Sequence, residues 1–354
     1  MLRPTLAARL LVLSLVSLIL CACEVSAATC GDGLQEEGEQ CEDGNQVDEN
    51  RIAMDGARVM RLPAGFLIPF HGQAAGDGCS EMCQCETDPC DFAASPSVNL
   101  ASVVLALRPG ATLSLAAGTY TGSGSCGWSI AATVSSADDR SLPITVRGAQ
   151  GATIIDCDNV GPVVEDMILG AHLRLEGIHF TQSQRSGGSG GVLRAEQGSE
   201  IVIDNCRFTH CACDGHGGAI YVSNSSISVV RSHFEENSAE DSGGSLAASD
   251  GSIASLADST ITRCFAGHGG GVYVEQSKIV MRGMLFSQNT ALVNKGGAAM
   301  ADDNSEMNVT STTVTDNFAT RGGGFMVQFS SVLRLTGDVR VVKNAALYGG
   351  AGYG

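Results

Sequence analysis

Two histidines stand in the same local context, Gly215-His216-Gly217 and Gly267-His268-Gly269. An imidazole held between glycines could serve acid–base chemistry, because its ordinary pKa lies near neutrality. Both strings fall on a Gly-Gly turn that recurs elsewhere without histidine, which favours a structural role. His210-Cys211-Ala212-Cys213 with His216 sets soft ligands at short spacing, as a zinc site would. In an exported chain disulfides compete for such thiols, so no metal is assigned. Metal-assisted cleavage of an acidic polymer needs grouped carboxylates and a basic Arg or Lys on one outer face. The outward row Arg207, His233, Thr260, Leu285, Thr313 and Arg340 has no acidic row beside it. His210, Glu236 and Arg263 are the nearest approach to a polar cluster. One basic series, His216, His268, Lys295 and Arg321, precedes successive Gly-Gly pairs and could contact an acidic glycan. No catalytic, cofactor or metal residue is assigned.

The elements that carry these residues follow from repetition. Gly-Gly pairs begin at Gly190, Gly217, Gly243, Gly270, Gly296, Gly323 and Gly349, with gaps of 27, 26, 27, 26, 27 and 26. An apolar-x-apolar pair recurs midway: Ile201/Ile203, Ile227/Val229, Ile253/Ser255, Ile279/Met281, Met307/Val309 and Leu333/Leu335. Alternation with period two marks a half-buried strand. A second apolar column holds Phe208, Phe234, Ile261, Phe286, Val314 and Val341. Three residues beyond each sits Cys211, Asn237, Cys264, Asn289, Asn317 or Asn344. The Gly-Gly pair leads into a further short strand, such as Ala219-Ile220-Tyr221-Val222.

Three strands and three turns per period, without helical periodicity, predict an all-β right-handed parallel β-helix of about nine coils. Glycines such as Gly218, Gly244 and Gly270 permit the tight turns. The Asn column predicts a ladder of stacked amides that satisfy turn backbone groups. Ser95-Pro96 predicts the start of a helix that presents Leu100, Val103, Val104 and Leu107 and caps the first coil.

Composition agrees with an exported, repetitive protein. Charged residues are 17% and hydrophobic residues 44%, which excludes a coiled coil and disfavours disorder. A net charge of −17 argues against nucleic acid, whose phosphates demand clustered cations. Arg3 and Arg9, the apolar run Leu10 to Leu20 and the small residues Val25-Ser26-Ala27 predict a signal peptide over 1–27. Leu20-Cys21-Ala22-Cys23 also fits a bacterial lipidation box. No later run is long enough for a membrane span, so the mature chain is expected to be secreted or held at the cell surface.

Twelve cysteines remain after the leader. Cys30, Cys41, Cys79, Cys83, Cys85 and Cys90 define an acidic disulfide module over 28–92. Cys211 and Cys264 would lie two coils, about 9.6 Å, apart, beyond disulfide reach. Cys126 with Cys157 and Cys206 with Cys213 stay open as pairs. Asn224-Ser225-Ser226 and Asn308-Val309-Thr310 are glycosylation sequons.

Two resemblances add to this reading. Gly217-Gly218-Ala219-Ile220 and Phe234-Glu235-Glu236-Asn237 resemble the GGA[ILV] and FxxN signatures of the polymorphic outer-membrane protein repeat, and Phe286-Ser287-Gln288-Asn289 repeats the second. Pro143-Ile144-Thr145-Val146-Arg147-Gly148 and Ile154-Ile155-Asp156-Cys157 look like early coils of pectin-lyase-like β-helices. The resemblance covers residues 95 to 354 and implies an extracellular β-helix with an adhesive or surface role. The Gly-His-Gly string also occurs in polygalacturonases, which need grouped aspartates and a basic RIK-like segment that this chain does not pair with it. Cys30-Gly31-Asp32-Gly33, Gly38-Glu39-Gln40-Cys41-Glu42-Asp43-Gly44-Asn45 and Asp77-Gly78-Cys79-Ser80-Glu81-Met82-Cys83 resemble the myxobacterial-type cysteine-rich repeat. There the DGN and DGCS blocks lie close together, whereas here about 48–76 intervenes, as a long loop or a gene-model artefact.

The expected organisation is thus a leader at 1–27, a cysteine-rich module at 28–92 and a β-helix at 93–354, cut short at its C-terminal end. The expected function is non-enzymatic, adhesive or structural, with extracellular glycans or cell-surface proteins as partners. The competing expectation is a polysaccharide lyase or glycoside hydrolase of the pectin-lyase-like fold.

Overall fold

The computed structural model describes residues 58–61, 67–70, 91–122, 124–130, 142–167 and 170–353. The chain divides into two compact units, 1–91 and 92–354. In the first, Arg58–Arg61 pairs antiparallel with Leu67–Phe70. The leader and Cys30, Cys41, Cys79, Cys83, Cys85 and Cys90 lie outside the described residues.

The second unit is a parallel β-solenoid, in which each strand pairs with its equivalent one coil ahead. Sheet A holds ten strands, from Asp91–Ala94 to Val332–Thr336, and sheet B nine, from Gly118–Thr121 to Arg340–Val342. Sheets C (Gln184–Arg185 to Ala345–Tyr348) and D (Leu193–Glu196 to Gly352–Tyr353) hold seven each. A coil therefore has four sides, not three. The residues after the Asn column form a short strand of their own before the Gly-Gly corner. About seven turns have all four sides. The chain before them contributes to sheets A and B and to a separate pairing of Trp128–Ile130 with Val164–Met167, so nine equivalent coils are not present.

Inward columns fill the axis. Phe180, Phe208 and Phe234 stack at centroid distances of 5.1 and 4.6 Å, and Ile261, Phe286 and Val314 continue the column, all buried. Ile227, Ala254 and Ile279 occupy one line of sheet A. This corrects the expected pair Ile253/Ser255: the inward residues of that coil are Ala254 and Leu256, and Ile253 is 58% exposed. The turn before that strand is one residue longer, and Ser252 keeps its place between Ser225 and Ser277.

Stacking raises a problem at the corners, where backbone N–H groups turn into an apolar interior. Repeating side chains meet it. Asn289 Oδ1 accepts from the Cys264 N–H at 3.0 Å, and Asn317 and Asn344 do the same for Asn289 and Asn317. Asn237 serves Cys211 at 2.9 Å. A second ladder, not anticipated, lines the corner from sheet D to sheet A. Its N–H groups at Ser199, Ser225, Ser252, Ser277 and Ser305 each donate to the next serine hydroxyl, at 3.0–3.2 Å. Serine recurs throughout this chain, so the period is hidden among unrelated serines.

The Gly-Gly corner needs both glycines for different reasons. Gly217 has φ +69°, a left-handed conformation. Gly218 does not, but a Cβ there would sit 2.2 Å from the Gly244 carbonyl oxygen of the next coil. The structure also shifts the phase of the repeat. In the triplets Gly269-Gly270-Gly271 and Gly322-Gly323-Gly324, the left-handed residue is the first glycine, with φ +54° and +59°, so Gly270 and Gly323 are second members of their pairs. Sequence alone offers two ways to divide a triplet, and only the coil-to-coil hydrogen bonds choose.

Helix α1, Leu100–Ala106, is shorter than expected. It is capped by Asn99, whose side chain accepts from the Ser102 N–H at 3.1 Å, and not by Ser95-Pro96. Leu100 and Val104, with Leu107 just beyond, are buried in the core.

Cys126 and Cys157 form a disulfide, Cα to Cα 5.8 Å. Cys206 and Cys213 do not pair; they are free and buried, like Cys211 and Cys264. Cys206 lies in the axial core and Cys213 in a small separate cluster with Ala239 and Ala266, so the wall between them forbids a bond.

Removing one rung of the amide ladder tests this account. Asn289→Ala leaves the Cys264 N–H unpaired in the core, removes a donor from the Ile261 carbonyl and should cost about 1–3 kcal/mol. Arg282→Ala, on the exposed face, should stay within about 0.5 kcal/mol. Urea unfolding checks both, and equal losses would contradict the ladder.

Candidate functional site

Because equivalent residues superpose, an outward column becomes a row of side chains about 4.8 Å apart. Two rows, on either side of sheet C, concentrate the polar chemistry of the second unit.

The first row lies at the corner from sheet B to sheet C. His210, Glu236, Arg263, Gln288, Asp316 and Lys343 all adopt left-handed φ between +52° and +58°. None is β-branched, the type that this conformation excludes most strongly. His210 Nε2 lies 2.7 Å from Glu236 Oε2, and Arg263 Nε 2.7 Å from Glu236 Oε1. Arg263 and Arg207 both reach Glu235, whose carboxylate also meets His233 Nε2 at 3.1 Å. The structure therefore joins the three residues that the sequence offered as a loose set and adds Arg207, His233 and Glu235. Burial alone would raise the Glu235 carboxyl, but hydrogen bonds from Arg207 and His233 outweigh it and hold the group at about 2. Arg207, Arg263, Glu235 and Glu236 are already paired with one another, so this network stiffens the surface more than it awaits a ligand.

The second row lies at the Gly-Gly corner, and the corrected phase completes it. His216, Ser242 and His268 bridge in parallel, and His268, Lys295, Arg321 and Tyr348 continue in register. Sequence reading had the four basic residues but not Ser242 and Tyr348. Among the described residues, no carboxylate lies within ion-pair distance of Lys295 or Arg321, unlike Arg207 and Arg263. Lys295 instead hydrogen-bonds to Gln328 and lies over the Phe329 ring, 6.0 Å from its centre. The Arg321 guanidinium lies 6.0 Å over Tyr348. His216 stacks with Tyr221 and Tyr273 at 6.1 and 6.3 Å.

Beside this row a part-buried chain of hydrogen bonds lies on the outer side of sheet D. Gln328 Nε2 donates to Asp302 Oδ1 at 2.8 Å, and the Tyr273 hydroxyl donates to Asp302 Oδ2 at 3.2 Å. Burial, then Glu275 and Asp302, push the Tyr273 phenol well above its ordinary value. Burial also raises Glu275, with Asp302 adding to it. His268 goes the other way, lowered by burial and then by Lys295, so its neutral imidazole is favoured. The Nδ1 atoms of His216 and His268 are buried without a hydrogen-bond partner.

The remaining candidates are dispersed. Cys211 packs in the axial core and Cys213 in its separate cluster, so the Cys-x-Cys-x-x-His string does not converge. Burial pushes the Cys211 thiol up to about 12 and Cys213 to about 11, which disfavours the thiolate that a metal or an electrophile requires. Among the described residues, no group of three or more His, Cys, Asp or Glu is placed to hold a metal ion. No helix among them is long and apolar enough to cross a membrane. Asn224 is exposed in the turn before sheet A. Asn308 lies on the outer side of the sheet A strand Glu306–Thr310 and donates to Glu306 at 2.9 Å.

A four-sided parallel coil with amide and serine ladders defines a β-helix protein. The model of the right-handed β-helix region matches residues 144–346, more than half of the chain. The chain belongs to that family. Solved structures similar to it include pectate lyase Pel9A, at 13% identity over 73% of this chain and 79% of that one, with a TM-score of 0.31. Others are an alginate lyase from Paenibacillus sp. strain FPU-7 (12% identity, 75% and 99% covered, TM-score 0.27) and a mannuronic acid specific polysaccharide family 6 lyase from human gut microbiota (11%, 70% and 83%, TM-score 0.20). No curated protein matches the chain.

The Glu235 network has a pH signature. Its folded value lies below the ordinary 4.5, so its stabilisation is complete above about pH 4.5 and is lost as pH falls toward 2. Glu235→Gln should flatten the fall in unfolding midpoint across that window. Parallel profiles for the two proteins would contradict the assignment.

Proposed function

We propose that this chain is a secreted or cell-surface β-helix that holds an anionic polysaccharide along its Gly-Gly corner, in an adhesive or structural role. One observation carries the reading. His268, Lys295 and Arg321 stand on successive coils, and among the described residues no carboxylate lies within ion-pair distance of Lys295 or Arg321. A polymer with a carboxylate on each sugar can run along such a row and meet one cation after another. Neighbouring Tyr221, part-exposed, and Tyr348, exposed, offer flat apolar faces to sugar rings. The overall charge of −17 makes a local cationic row selective, since the rest of the surface repels the same polymer. Within this reading α1 covers the edge of the first coil, and Asn224 carries a glycan if the source is eukaryotic.

Titration of polygalacturonate and alginate by calorimetry tests the proposal. The double variant Lys295→Ala/Arg321→Ala should bind about tenfold or more weakly, and added salt should weaken the native protein's binding. Equal affinity of variant and native protein would refute it.

A second reading, cleavage of the same class of polymer, is favoured by the Tyr273–Asp302 pair beside His268. Burial holds the Tyr273 phenol protonated and favours the neutral His268 imidazole, the states that a proton donor and an acceptor need. If that pair acts, the native protein releases unsaturated uronate ends that absorb in the ultraviolet. Tyr273→Phe should then slow release by about 10²-fold or more, and a flat trace from the native protein on both polymers removes this reading.

A further inference from the structure

On the opposite side of sheet C from the cationic row, the surface dips. The strand Thr290–Lys295 is longer than its neighbours and breaks register with both, between Ala266 and His268 on one side and between Ala291 and Lys295 on the other. This bulge lifts Leu292 outward, leaving it 63% exposed. In the adjoining column Phe265, Thr290 and Phe318 follow one another in register. The short threonine between two phenylalanines leaves a notch. The result is a groove of about 500 Å³, lined by Arg263, Phe265, Gln288, Thr290 and Leu292 among others.

The lining has a definite chemistry. Phe265, 44% exposed, and Leu292 supply apolar walls. Among the described residues, the Gln288 side-chain amide and the Thr290 hydroxyl have no hydrogen-bond partner. Arg263 is held by Glu235 and Glu236 through Nη2 and Nε, which cancels its charge while Nη1 stays unused. Bulges recur next to binding sites, and isolated exposed apolar side chains need no explanation. Two such walls around unpaired donors and acceptors do, because a purely structural surface would leave the polar groups free to water on all sides.

We infer that this groove is a subsite for an uncharged pyranose ring. The apolar C–H face of the sugar packs on Phe265 and Leu292. Its hydroxyls, each both donor and acceptor, meet the Gln288 amide, the Thr290 hydroxyl and Arg263 Nη1. A free carboxylate is not selected, because Glu235 and Glu236 already occupy the guanidinium. The assignment rests on the glycan-binding reading and extends it. Sheet C lies between an anion-selecting row and a neutral subsite, so the favoured ligand is a heteropolysaccharide with both acidic and neutral sugars.

The test is calorimetric titration with neutral hexasaccharides (cello-, manno-, xylo- and maltohexaose) and separately with polygalacturonate. At least one neutral hexasaccharide should bind the native protein. Gln288→Ala and Leu292→Ser, both at exposed positions that leave the ladders intact, should each weaken that binding about tenfold or more and leave polygalacturonate binding unchanged. Lys295→Ala/Arg321→Ala should show the opposite pattern. If polygalacturonate binds and no neutral hexasaccharide does, the subsite is refuted and the anionic reading stands. Neutral binding that ignores Gln288→Ala and Leu292→Ser also refutes the subsite. If neither class binds, both readings fall.

Discussion

Everything in the second unit depends on superposition. When a parallel strand pairs with its equivalent one coil on, about 4.8 Å away, each side chain must tolerate its counterpart above and below. Inward positions accept this readily for Phe, Ile, Val, Leu and Met, whose stacking excludes water. Two corners accept it because a side chain supplies the hydrogen bonds that a turning backbone loses, and the Gly-Gly corner because its backbone bonds directly from coil to coil. The Asn and Ser ladders are therefore not additions to the coil. An apolar residue in either column would bury an unpaired N–H, and burying such a group without a partner is costly.

The same constraint shapes the surface. Outward residues are free in type but not in position, so any chemistry placed at one corner is multiplied along the axis. At the corner between sheets B and C, Glu236 joins His210 and Arg263 from the coils on either side, on a backbone that is left-handed at all three residues. At the Gly-Gly corner, Lys295 and Arg321 follow one another with no carboxylate within ion-pair distance among the described residues. Local sequence is similarly polar at both corners. The two corners differ in the sign pattern down the column.

Irregularity is equally informative. Most coils keep to 26 or 27 residues, and departures are absorbed locally. One extra residue before Ser252 is offset before Ser277, which keeps the serine ladder in line and leaves Ile253 outside. The bulge at 290–295 is absorbed before Gly296 in the same way. The ladders act as fixed points, and insertions are expelled between them, toward solvent, where they can build a groove.

Periodicity alone determined the parallel coil, its inward columns and the amide ladder, because apolar and Asn positions recur at fixed intervals and few other folds accept a 26-residue period. It also located His216, His268, Lys295 and Arg321. Tertiary structure decided what depends on alignment between coils: which glycine of a triplet turns left-handed, that Ala254 and not Ile253 points inward, that a fourth strand forms, and that Cys206 and Cys213 stay apart. It likewise decided that Arg263 is spoken for while Lys295 is not. A repeat length is a property of one chain segment, but register, pairing and charge neutralisation are relations between segments 25 to 28 residues apart. Those relations exist only once the coils are stacked.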